Sequence, residues 1–97
     1  MKKASTQKPC AITTVADLLS DTWTILIINT LLGAKHTRFC ELERELVGIS
    51  TRTLTLKLKT LEDEGIAIKT DHGYSATELG RKLRPVLKAM ENFGKQL

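Results

Sequence analysis

Apolar positions along this chain change rhythm several times, and each change predicts an element. Ile12, Val15, Ala16 and Leu19 fall on one stripe of a helix. Ser20-Asp21-Thr22 breaks that pattern and supplies cap residues for a second helix, Trp23 to Leu32. The second helix is apolar on most sides (Trp23, Ile25, Leu26, Ile27, Ile28, Leu31, Leu32), which predicts a central position covered by neighbours. Trp23 reads as core, and Gly33 is a natural terminator. A third helix is predicted from about Arg38 to Leu46, with Phe39, Leu42 and Leu46 inward. Gly48 then makes a turn, Ile49 plugs the junction and Ser50 caps a fourth helix ending at Gly65. In that helix Leu54, Leu58 and Leu61 lie within about 60° of one another, and Arg52, Leu56 and Lys59 lie roughly opposite.

Beyond Gly65 the period shortens to two. Ile66 to Thr70 alternates like a strand, Asp71-His72-Gly73 reads as a turn, and Tyr74-Ser75-Ala76 returns. A last helix is predicted from Glu78 after a Thr77 cap. It carries Leu79, Leu83, Val86, Met90, Phe93 and Leu97 at spacings of 4, 3, 4, 3 and 4, a heptad rhythm. Pro85 lies inside it and predicts a kink, because a mid-helix proline costs about 3 kcal/mol. The stripe is too long for a small domain to cover, so Leu83, Val86, Met90, Phe93 and Leu97 are candidates for pairing with a second copy of the chain. The expected fold is therefore mainly α with a small β-hairpin. It is a winged helix-turn-helix domain over residues 9–97, with N- and C-terminal dimerisation helices and a flexible basic arm over residues 1–8.

Composition narrows the function. Hydrophobic residues are 41% and charged residues 27% of the 97, which suits one folded domain. The longest apolar run is Ile25 to Ile28, too short to span a bilayer, and Met1 to Lys8 leads into no long apolar stretch. With only Cys10 and Cys40, a secreted disulfide framework is not expected, so a cytoplasmic location is the simplest reading. The net charge of +4 favours an anionic partner, and its placement is more informative than its size. Arg52, Lys57 and Lys59 cluster on the fourth helix, with no acid before Glu62. A helix with one apolar side and one basic, hydroxyl-bearing side has what the major groove of double-stranded DNA requires.

On that reading Arg52 and Lys59 reach guanine edges or phosphates, and Thr51, Thr53 and Thr55 bond phosphate oxygens or bases. Ser50 caps and touches a phosphate, and Leu56 meets a thymine methyl. Lys69 and His72 sit on or beside the hairpin, where they contact the DNA backbone or are simply solvated. Arg38 either contacts a phosphate or pairs with Glu41 or Glu45. Lys57 points away from the groove side. No enzyme and no cofactor are expected, since neither histidine has a nucleophile and an orienting acid in a recognisable arrangement and no glycine-rich loop follows a strand. His36, Cys40, Cys10 and His72 are the only soft metal-ligand candidates, and no CxxC supports them. A metal-responsive regulator and a protein-binding winged helix are the alternatives.

Four short pieces carry a resemblance to a known family. These are Cys10 about a dozen residues before Trp23-Thr24; Arg38-Phe39 with Glu41-Leu42; Gly48-Ile49-Ser50 followed by Arg52-Thr53-Leu54 and Leu58-Lys59; and Tyr74-Ser75 with Thr77-Glu78-Leu79-Gly80. In this order the chain resembles the HxlR-type winged-helix transcriptional regulators, relatives of the MarR-like repressors, from about Pro9 to Phe93. The resemblance implies a homodimer, a palindromic operator and an N-terminal cysteine, here Cys10, that senses oxidants or electrophiles. A thiol at a helix N-terminus is a plausible site for that chemistry, because backbone dipoles favour the thiolate. This chain departs from the family in having Pro9 before rather than after the cysteine, and a hairpin shorter than the usual wing.

Overall fold

A computed structural model describes residues 10–97; the basic arm expected over residues 1–8 lies outside them. Six helices and one hairpin follow in the order α1 (Ala11–Leu18), α2 (Thr22–Leu32), α3 (Phe39–Glu45), α4 (Thr51–Asp63), β1 (Ala67–Thr70), β2 (Gly73–Ala76), α5 (Glu78–Arg81) and α6 (Arg84–Gly94). This is the winged helix-turn-helix arrangement that the periodicities predict.

The core forms where apolar stripes of α2, α3 and α4 converge. Ile27, Ile28, Leu31 and Leu32 of α2 meet Leu42 of α3 and Leu54, Leu58 and Leu61 of α4, closed by Leu46, Ile66, Ala67, Ala76, Leu83 and Leu87. Trp23 is half-buried against this cluster. Burying each large side chain contributes about 1.5–3 kcal/mol, so the leucine stripe of α4 alone fixes which of its faces turns outward. Asp21 caps α2 by accepting the Thr24 amide at 2.9 Å, and Ser50 caps α4 by accepting the Thr53 amide at 3.0 Å. Gly48, between α3 and α4, has φ +95°, a backbone state that side-chain-bearing residues resist.

Three features differ from the sequence-based expectation. α2 is not covered on all sides: Leu26 is exposed and Ile25 only half-buried, and both line an open groove of about 460 Å3 against α6. The expected single C-terminal helix is two helices, because Pro85 stands in the first turn of α6, where the missing amide costs nothing, and so starts a helix rather than kinking one. Leu83, at that break, is buried in the core, which removes it from the exposed heptad stripe as a dimerisation candidate.

The hairpin gains a neighbour that periodicity did not show. β1 and β2 pair antiparallel in the register Ala67↔Ala76, Ile68↔Ser75, Lys69↔Tyr74 and Thr70↔Gly73. Thr37, just ahead of α3, bridges the other edge of β2 through two 2.8 Å bonds with the Tyr74 backbone. A Cβ at Gly73, whose φ is +118°, would stand 2.7 Å from the Thr37 carbonyl oxygen, so glycine is required there on both counts.

Candidate nucleic-acid interface

The outward side of α4 carries Arg52, Leu56 and Lys59, exposed and opposite the buried leucines, while Thr51 and Thr55, also exposed, flank the leucine stripe. Leu56 is 53% exposed, a large apolar side chain presented among polar neighbours. Arg52 has no ion pair among the described residues. Lys59 sits 3.7 Å from Asp63 one turn along. That pair is largely solvated and contributes well under about 1 kcal/mol, so Lys59 can exchange its partner readily.

Hydroxyls at the start of the helix are already engaged. The Ser50 hydroxyl accepts the Thr53 amide and lies 2.9 Å from the Thr53 hydroxyl. The Thr51 hydroxyl donates to the Glu43 carboxylate of α3 at 2.6 Å, and the Thr55 hydroxyl donates to the Thr51 carbonyl at 2.8 Å. Lys57 points away from this side and pairs with Asp21 at 3.3 Å, tying α4 to the start of α2. Bonds from the Thr24 amide, reinforced by the Thr24 hydroxyl and by Lys57, hold the Asp21 carboxyl below its ordinary range.

Around the hairpin, Lys69 and His72 are exposed, and the Lys69 ammonium lies 5.9 Å from the centre of the Tyr74 ring. The His72 ring packs against that of His36, with centroids 5.2 Å apart. Among the described residues, no group of three or more His, Cys, Asp or Glu side chains converges as metal ligands would. Arg38 adjoins the same corner, since its backbone nitrogen lies near the space above Gly73. The Glu41 carboxylate accepts the Arg38 backbone amide at 2.8 Å. The Arg38 side chain is exposed, with no ion pair among the described residues.

Away from α4, Cys10 is exposed and forms the N-cap of α1. Its sulfur accepts the Thr13 amide at 3.4 Å and lies 3.1 Å from the Thr13 hydroxyl. The Thr13 hydroxyl, and then the Thr13 amide, hold the thiol below its ordinary pKa by favouring the thiolate. Cys40 is also a free, exposed thiol. α1 buries no residue of its own, and Ile12 is 81% exposed. Val86, Met90, Phe93 and Leu97 form a second exposed apolar stripe along and just beyond α6.

Sequence reasoning missed Glu43 and the Asp21–Lys57 tie. Both join residues across a turn or between helices, where no periodicity connects them.

Residues 18–97 match the family model for the HxlR-like helix-turn-helix. The chain belongs to that family. An uncharacterized HTH-type transcriptional regulator of Synechocystis sp. is 39% identical over 92 residues, covering 88% of this chain and 67% of the relative. The HTH-type regulator YdeP of Bacillus subtilis is 31% identical over 94 residues, 90% of this chain and 73% of its own length. Among solved structures, quinone-bound YodB from B. subtilis superposes with a TM-score of 0.82 at 30% identity, covering 89% of this chain and 97% of that one. The reduced form of the same regulator gives a TM-score of 0.79 at 29% identity, over 91% of this chain and 93% of that one. This HxlR-like protein is thus a transcriptional regulator of the helix-turn-helix type. Among the described residues, no single helix is long and apolar enough to cross a membrane.

Proposed function

We propose that this chain is a dimeric, sequence-specific regulator that inserts α4 into the major groove of double-stranded DNA, with its two copies reading the halves of a palindromic operator. The observation that carries this reading is the outward side of α4, where Arg52, Leu56 and Lys59 stand free of the core while Leu54, Leu58 and Leu61 anchor the helix from behind. Arg52 and Lys59 supply cationic donors to guanine edges or phosphates, and Leu56 fits a thymine methyl. Ser50, Thr51, Thr53 and Thr55 belong to the N-terminal end of the helix, which enters first, and Arg38, Lys69 and His72, at or beside the hairpin, meet backbone phosphates. α1 and the stripe Val86, Met90, Phe93 and Leu97 join the second copy, which covers apolar surface that a single chain leaves wet.

Duplexes bearing the chain's own promoter region, titrated by fluorescence anisotropy, test this reading. Binding weakens by about 10³-fold or more from 50 to 200 mM salt if six or more phosphates are neutralised. In binding-site selection, Leu56→Gln returns a consensus altered at a thymine. Salt-independent affinity, or the same consensus for both proteins, would contradict it.

Cys10 adds an input to this reading. Its exposure and lowered pKa favour a nucleophilic thiolate, and the similar YodB has been solved both reduced and bound to quinone. In such a response the thiolate would add to a carbon–carbon double bond conjugated with a carbonyl, as in a quinone; the π bond breaks, its electrons pass to the carbonyl oxygen, and that oxygen takes up a proton.

A further inference from the structure

Glu43 is an unusual group to find beside a helix meant for DNA. It is a half-buried carboxylate at the N-terminal end of α4, where it opposes the phosphate field. Its contact has a definite chemical direction. A carboxylate only accepts, so the 2.6 Å bond must take the hydrogen of the Thr51 hydroxyl. The same holds one turn later: the Thr51 carbonyl only accepts, so the 2.8 Å bond takes the hydrogen of the Thr55 hydroxyl. Both threonines are exposed, and each then offers only oxygen lone pairs outward.

Resting on the major-groove reading above, we propose that Glu43 is a positioning residue that sets Thr51, and with it the first turn of α4, to read amino groups rather than phosphates or carbonyls. Phosphate oxygens are acceptors and cannot satisfy a lone pair. In the major groove the donors are the adenine N6 and cytosine N4 amino groups, whereas guanine O6 and N7 and thymine O4 accept. Thr51 and Thr55 therefore select adenine or cytosine on the strand they reach. Donor contacts fall to Arg52 and Lys59. The carboxylate costs some affinity for any duplex and returns discrimination at one base.

Binding-site selection from a randomised duplex library, run with the full chain and with Thr51→Val, Thr55→Val and Glu43→Ala, tests this. The wild type enriches adenine or cytosine at the position Thr51 reads. Thr51→Val keeps the shape of the side chain and lowers that preference about two- to tenfold, the worth of one hydrogen bond. Thr55→Val does the same one step along the site, so the test does not depend on a single variant. Glu43→Ala frees the Thr51 hydrogen: guanine and thymine rise at the same position, while affinity for random-sequence duplex increases as a negative charge leaves the phosphate field. Unchanged consensuses in both threonine variants, or relaxation at a guanine or thymine, overturn the proposal alone. A wild type that enriches no sequence overturns the major-groove reading and this inference with it.

Discussion

Thr13 acts on Cys10 twice. Its hydroxyl and its amide both stabilise the charged sulfur, while full exposure leaves that sulfur open to reagents. Thr13→Val removes the larger of the two influences. The rate of Cys10 alkylation by iodoacetamide, followed against pH by peptide mass spectrometry so that Cys40 is read separately, then rises at a higher pH than in the wild type. An unshifted profile would mean that the hydroxyl plays no part in the thiol's acidity. At the same scale, the sequence made the outward position of Leu56 legible, because three leucines at helical spacing leave only one side for it. It did not make Glu43 legible: that side chain meets Thr51 eight residues later, across a turn whose angle no pattern encodes.

Among the elements, α4 is fixed in azimuth by its leucines and in heading by Lys57, which pairs with the Asp21 cap of α2. The lowered pKa of Asp21 makes this tie pH-dependent with a definite sign. A carboxyl depressed in the folded state stabilises it above the unfolded value of about 3.9, and that contribution disappears as pH falls through the lower folded value. Asp21→Asn keeps the helix cap but not the charge. Urea unfolding should find the variant weaker than wild type at pH 7 by less than about 1 kcal/mol, because the pair is partly solvated. The gap should close as pH falls through the lowered folded value. A gap that stays constant with pH would locate the effect in the cap alone. The elements themselves were largely readable, since caps, periods and glycines agree from Ser20 to Gly65. The C-terminal part was not: a heptad rhythm runs smoothly through Leu83 and Pro85, yet the chain breaks there, because proline is better tolerated at a helix start than within one. The Thr37 bridge was equally invisible, since one residue of strand has no period.

At the scale of the whole molecule, α1 and α6 each leave apolar side chains exposed among the described residues. Phe93, 66% exposed, is the largest side chain of the second. On the proposed dimer, Phe93→Glu places a charge in the interface. Sedimentation at micromolar concentration then shifts from dimer to monomer, and affinity for a two-half-site duplex falls on the order of 100-fold through loss of bivalency. A wild-type chain that sediments as a monomer would rule out the pairing. Another consequence follows from the position of β2 between β1 and Thr37. With its central strand occupied on both flanks, the sheet presents β1 as its free rim among the described residues. That rim is four residues long and carries Lys69. So short a rim, interrupted by a lysine, is a poor template for a foreign strand, so edge-to-edge pairing of copies through the hairpin is disfavoured.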